Sequence, residues 1–107
     1  MSRSPSAVDV FHAVADAHRR GMLDLLAEGE APVGALVEHA GLSYSAVSQH
    51  LAILLEVGLV TRRQEGRQRF YRLDPAPLRE VHEWSARYEK FWRAKLARLR
   101  RVLDEEA

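Results

Sequence analysis

Residues 41–71, GLSYSAVSQHLAILLEVGLVTRRQEGRQRFY, decide the fold of this chain. A glycine turn leads into an amphipathic helix that Ser43 can cap and that Gly58 ends. Residues 59–73 then alternate as two short strands, with Glu65-Gly66 as the turn between them. A helix-turn-helix followed by such a hairpin is the pattern of a winged helix, which sets one helix in the major groove of DNA and a basic ribbon beside it.

Composition limits the class of protein. The chain has 107 residues, of which 47% are hydrophobic and 29% charged, and this suits one folded domain, 1–107. It has no cysteine, so disulfides, thiolate metal sites and thiol redox sensing are excluded. The sequence shows neither the pattern of a secretory signal nor an apolar run long enough to span a bilayer, and we therefore expect a cytoplasmic protein.

The net charge of +1 hides two halves of opposite sign. Residues 4–60 carry two basic side chains against seven acidic ones, whereas residues 61–103 carry thirteen against five. A basic half of this kind can meet phosphate groups. Arginine on solvated helix faces accounts for the excess on the last helix, but not for the arginines at 61–72.

The segments before residue 41 predict short helices. A helix at 7–15 would start at a Ser6/Asp9 capping pair, and Asp16 would cap a second helix. Gly21 inside the second helix costs about 1 kcal/mol relative to alanine, which predicts close backbone packing there.

The link to the helix-turn-helix is short. Residues 31–33 predict an extended segment at a sheet edge, and a short helix follows, so the helix-turn-helix covers 34–57. The expected class is therefore mainly α with one small β-hairpin (α+β), with about five helices.

A long amphipathic helix is predicted at 75–103, with Asp74 as its cap and Pro75 at its first position. Its apolar side chains fall within an arc of roughly 140°, and the helix would be about 43 Å long. So small a domain cannot cover that stripe, and we expect another chain to bury part of it.

The start of the 43–57 helix presents short polar side chains that can approach base edges or phosphates. Hydroxyls suit either, the amide of Gln49 can pair with adenine, and the methyl of Ala46 can meet thymine. A polar face alone is usually only solvated, and this one lacks lysine and arginine. The candidates for DNA contact on this helix are Ser43, Ser45, Ala46, Ser48, Gln49 and His50.

The hairpin supplies the missing charge. Its arginines are concentrated around one glycine turn, which suits a ribbon that follows a phosphate backbone or enters the minor groove. The alternative is a charged edge hairpin protected against aggregation. The candidates for DNA contact on the hairpin are Arg62, Arg63, Gly66, Arg67 and Arg69.

From Val10 to Leu103 the chain resembles the ArsR family of winged-helix bacterial transcriptional repressors. Three segments carry the resemblance: AVADAHRRGMLDLLAEG, LSYSAVSQHLAILLEVGLV and RRQEGRQRFYRLD. The resemblance implies a DNA-binding homodimer that represses transcription from a near-palindromic operator and pairs through its first and last helices. The interface residues it implies are Phe11, Val14, Val81, Trp84, Tyr88, Phe91, Trp92, Leu96 and Leu99.

The regulatory signal is left open. The family's arsenic-type site needs a cysteine pair that this chain lacks, and its zinc-type site needs a second histidine downstream of His82. We predict no metal and no cofactor, with a zinc-type repressor using His, Asp and Glu ligands as an alternative. The aromatic cluster at 84–92 is better explained by packing than as a pocket, but it is where an unidentified small-molecule effector would bind.

The sequence argues against two other classes of function. No nucleophile–base pair, phosphate loop or carboxylate pair stands out, so we do not expect an enzyme. Winged helices also serve as protein–protein interaction modules, but the arginine-rich hairpin argues against that role.

Overall fold

The computed structural model describes residues 8–106, in which a group of helices carries a small antiparallel sheet. The expected class, mainly α with one hairpin, is confirmed. Within the described residues, no helix has the length and apolar composition needed to cross a membrane. The elements are α1 (Val10–Val14), α2 (Ala17–Leu26), β1 (Ala31–Pro32), α3 (Val33–Ala40), α4 (Tyr44–Glu56), β2 (Val60–Glu65), β3 (Gln68–Leu73), α5 (Leu78–Ala86) and α6 (Glu89–Glu106).

Short side chains cap the helices where the sequence predicts it. Asp16 accepts a hydrogen bond from the backbone N–H of Arg19 at the start of α2, and Ser43 accepts one from that of Ala46 at the start of α4. At the start of α1 the cap is Asp9, while Ser6, its predicted partner, lies outside the described residues. Gly41, with φ at +66°, makes the left-handed turn between α3 and α4 that a side chain would strain.

The core lies where α2, α3 and α4 meet the base of the sheet. Met22, Leu36, Leu51 and Leu54 are fully buried there, one or two from each helix. The packing predicted at Gly21 is absent, because a Cβ built on that residue would meet no atom within 4 Å. The prediction of close backbone contact at Gly21 was therefore wrong.

The sheet has the order β1-β3-β2, with β1 as the predicted edge strand. Glu65 pairs with Gln68, so Glu65 belongs to β2 and the turn is Gly66-Arg67 rather than Glu65-Gly66. Gly66 has φ at +61°, the value that the first position of a type II′ hairpin turn requires. The turn therefore places Arg67 at the tip of the hairpin.

The C-terminal helical region is divided in two. Helix α5 begins at Leu78, three residues beyond Pro75, because Asp74 holds the N–H of Ala76 in a turn and Pro77 restricts the residue before it. Between α5 and α6, the N–H groups of Arg87 and Tyr88 bond three residues back instead of four. This tight turn accounts for a sixth helix where the sequence predicts five.

Candidate nucleic-acid interface

The exposed face of α4 matches most of the predicted reading residues. Ser45, Ser48 and Gln49 are exposed, and Ala46 is half-buried. Ser43 is exposed, but its oxygen is engaged as the cap of the helix. The opposite face of α4 is buried in the core, so only its polar side is open to a partner.

His50 lies apart from that face. It is half-buried, and its Nδ1 atom is 3.1 Å from the Nη1 atom of Arg19 on α2. Its ring also lies 5.9 Å from the ring of His18, between centroids. His50 thus contacts α2 in the structure, and its contact with DNA stays a prediction.

Tyr44 is a candidate that the sequence reasoning missed. Its side chain is 60% exposed at the first position of α4, next to the polar face. Tyr44 and Ser48 are four residues apart and therefore share one side of the helix. That spacing is the signal that could have identified it.

The two sides of the hairpin differ in character. Directly opposed residues of an antiparallel pair share a side, and Arg62 lies opposite the buried Tyr71, while Gln64 lies opposite Arg69. Arg62 and Arg69 therefore lie on the side that continues into the core. Arg63 lies opposite Phe70, on the other side.

Arg63 is held by carboxylates. Its Nη2 atom is 2.7 Å from an oxygen of Glu30, and its Nη1 atom is 2.6 Å from an oxygen of Glu65. Its guanidinium also lies over the ring of Phe70, 4.6 Å from the centroid. Of the predicted arginines, Arg63 is the one whose charge is already neutralised within the chain.

These contacts also shift the pKa values of Arg63 and Glu30. The hydrogen bonds that Arg63 donates to Glu30 first and to Glu65 second raise the pKa of Arg63, and desolvation opposes them. In return, the hydrogen bond from Arg63 lowers the pKa of Glu30. Arg63 and Glu30 are thus fully charged at neutral pH, and their ion pair links the hairpin to the residue that precedes β1.

The remaining predicted arginines have no such partner. Within residues 8–106, Arg62, Arg67 and Arg69 form no ion pair with a carboxylate. Two of them line an open groove between the hairpin tip and the helix-turn-helix. The groove is lined by Pro32, Val33, Gly34, Tyr44, Arg67, Gln68 and Arg69.

The predicted dimer residues form a continuous apolar strip. The ring of Phe11 on α1 meets Trp84 on α5 edge-to-face at 5.8 Å, Trp84 meets Tyr88 at 5.6 Å, and Tyr88 meets Phe91 at 6.3 Å. Val14 and Val81 are half-buried beside this ladder. The strip continues along α6, where the exposed fraction of the large apolar side chains is 44–64%. Its outer residues are Phe91, Trp92, Leu96, Leu99, Val102 and Leu103.

Possible metal ligands are scattered. Among the described residues, no group of three or more His, Cys, Asp or Glu side chains could hold a metal ion. Two acids of the C-terminal helices are paired within their own helices, Glu83 with Arg79 and Glu89 with Arg93.

Comparisons with known proteins agree with this geometry. The family model described as "Bacterial regulatory protein, arsR family" matches residues 16–62, from the α2 cap into the hairpin. An HTH-type transcriptional regulator of Mycobacterium tuberculosis is 36% identical over 104 residues, covering 97% of this chain and 92% of the relative. The transcriptional repressor SdpR of Bacillus subtilis is 33% identical over 76 residues, covering 71% of this chain and 84% of that protein.

A solved structure has the same fold. It is the homodimeric winged helix-turn-helix DNA-binding domain of a possible ArsR-family transcriptional regulator from Mycobacterium bovis. It superposes with a TM-score of 0.62 at 31% identity and covers 78% of this chain and 80% of its own.

Proposed function

This chain belongs to the ArsR family of bacterial transcriptional regulators, and from that premise we propose that it is a homodimeric repressor that reads operator DNA with α4. Each subunit would place the exposed side of α4 in a major groove while the hairpin follows the neighbouring phosphates. Binding within a promoter would then exclude the transcription machinery. Because bacterial DNA lies in the cytoplasm, we expect the protein to act there, and we propose no catalytic activity for it.

One observation carries this proposal. A single groove brings the start of α4, at Tyr44, together with the free arginines Arg67 and Arg69 at the hairpin tip. Unpaired guanidinium groups suit phosphate oxygens, and short hydroxyl and amide side chains suit base edges. The groove therefore combines the sequence-independent and the sequence-dependent parts of a DNA contact.

The homodimer supplies the second half of the reader. The strip from Phe11 to Leu103 exposes more apolar surface than a solitary small domain usually leaves in water. A second copy covering it would pair the two reading helices by a twofold axis, so that they meet half-sites about 34 Å apart on a near-palindromic operator.

The experiment selects binding fragments from a random duplex library with the purified protein and then measures affinity for the selected operator and for random duplex. Ser48→Ala together with Gln49→Ala should weaken operator binding at least about tenfold and leave random-duplex binding nearly unchanged, because these side chains contact bases. Ala27→Ser, at an exposed position outside α4, is the control. Equal losses on both DNAs would show that Ser48 and Gln49 do not read sequence.

A further inference from the structure

Arg19 is the buried charged side chain of the described residues, with only 7% of its surface exposed. Its guanidinium connects three helices. Its Nε atom donates to the carbonyl of Ala13 at 2.8 Å, Nη2 donates to that of His12 at 2.9 Å, and Nη1 lies 3.1 Å from Nδ1 of His50. One side chain of α2 thus holds both the end of α1 and the middle of α4.

The need for this contact at α1 follows from the length of that helix. A helix of five residues leaves most of its carbonyl groups without an intrahelical partner. Arg19 takes the carbonyls of His12 and Ala13, and the neighbouring Arg20 takes that of Val14 at 2.8 Å. Only Arg19 extends further, to α4.

The contact with Arg19 fixes which nitrogen of the His50 imidazole carries the proton. A guanidinium can only donate, so Nδ1 of His50 must accept and the ring carries its proton on Nε2. The other titratable groups around the ring come from α2 and its cap: His18, whose ring is in contact, and Asp16, whose carboxylate holds the N–H of Arg19. His50 is therefore held against α2, while Ser48 and Gln49 remain exposed.

Helix α1 is in turn attached to the proposed dimer strip. Phe11 meets Trp84 edge-to-face, and Trp84 begins the ladder of rings that continues into α6. A movement of the dimer strip would therefore displace α1, and the Arg19 guanidinium would transmit that displacement to α4.

We propose that Arg19, acting through His50, is a positioning residue that fixes the reading helix relative to the dimer strip and so sets the spacing of half-sites that the dimer accepts. This inference rests on the proposed function. One added base pair displaces a half-site by about 3.4 Å and rotates it by about 35°. A dimer with rigidly held α4 helices rejects that change, whereas one with loosened helices tolerates it.

The test uses the operator selected by the wild-type protein and two derivatives with one base pair inserted or deleted between the half-sites. Arg19→Met and His50→Leu should each reduce the preference for the native spacing by about tenfold, the effect expected for losing one hydrogen bond to a charged group. His50→Asn, which keeps an acceptor near the position of Nδ1, should retain most of the preference. Arg20→Met, which loses a bond to α1 but none to α4, is the matched control.

The outcomes separate this inference from the proposed function. Arg19→Met is checked by thermal melting, and if it does not fold, His50→Leu alone decides, because it leaves the bonds from Arg19 to α1 in place. Reduced spacing preference with unchanged random-duplex affinity supports the proposal. Unchanged preference in a folded variant, or equal loss on operator and random DNA, overturns it while the repressor assignment stands. Failure of the wild-type protein to select any fragment would overturn both.

Discussion

The salt dependence of DNA binding should distinguish Arg63 from Arg67, although both are exposed arginines of the same hairpin. Arg67 lies in the groove beside Tyr44 and has no carboxylate partner, whereas Arg63 is paired with Glu30 and Glu65. We expect Arg67→Ala to remove phosphate contacts and Arg63→Ala to remove none. The two variants change the net charge equally, so each serves as the other's control.

The magnitude follows from counterion release. Each neutralised phosphate contributes about −0.9 to the slope of log K against log salt, and a homodimer carries every substitution twice. Arg67→Ala should therefore make the slope less steep by about 1.8. When the salt concentration rises fourfold, both proteins lose affinity for random duplex, and the loss for the wild type should be about twelve times larger than the loss for Arg67→Ala. Arg63→Ala should follow the wild-type slope.

The assay is fluorescence anisotropy with labelled random duplex at a series of salt concentrations. Thermal melting of each variant checks that the hairpin remains folded, which we expect for Arg63→Ala because exposed ion pairs contribute little to stability. If Arg63→Ala flattens the slope as much as Arg67→Ala, Arg63 leaves its carboxylates on binding and the distinction drawn from the structure is wrong.

Three further predictions concern the dimer, helix α2 and its cap. Trp84→Asp should raise the dimer dissociation constant measured by sedimentation at least about thirtyfold, as expected for a central aromatic contact. Arg101→Asp, on the opposite side of α6, should leave it unchanged. Equal dissociation constants for the two variants would show that the interface lies elsewhere. Gly21→Ala should raise the free energy of unfolding by roughly 0.5–1 kcal/mol in denaturant titration, since no atom lies within 4 Å of the added Cβ; a loss would mean that a partner packs there. Asp16→Ala should lower it by about 1 kcal/mol at neutral pH. The N–H of Arg19 lowers the pKa of Asp16, so this difference is present above the ordinary carboxyl pKa and is lost as the pH falls through the native one; a pH-independent difference in thermal melts would contradict this.

Local chemistry could be predicted from the sequence. The caps at Asp16 and Ser43 and the turn glycines Gly41 and Gly66 depend on a few neighbouring residues, and each lies where its residue type indicates. The polar face of α4 was also predictable, because the 3.6-residue period separates Ser45 and its neighbours from the buried stripe.

Long-range pairing could not be predicted. Glu30 and Arg63 are far apart in the chain, and nothing near either residue indicates that the fold of β1 against β3 brings them together. His50 illustrates the same limit, since nothing near it in the sequence indicates its contact with Arg19 on another helix. The break between α5 and α6 at Arg87 and Tyr88 was also not predictable, because no proline or glycine lies there.

The specificity of the exposed face of α4 should depend on how precisely the buried Arg19 positions that helix. Helix α4 has no lysine or arginine, so we expect the free arginines Arg62, Arg67 and Arg69 of two hairpins to carry most of the electrostatic affinity, with a salt slope of about −5. The proposed hydroxyl and amide contacts of Ser48 and Gln49 with DNA would each contribute only about 1 kcal/mol and would hold only over a few tenths of an ångström in donor–acceptor distance. A small displacement of α4 therefore loses several of these contacts at once, whereas an alanine substitution loses one. The loss of operator specificity on removing the Arg19 side chain should accordingly exceed that of Ser48→Ala, although Arg19 touches no DNA.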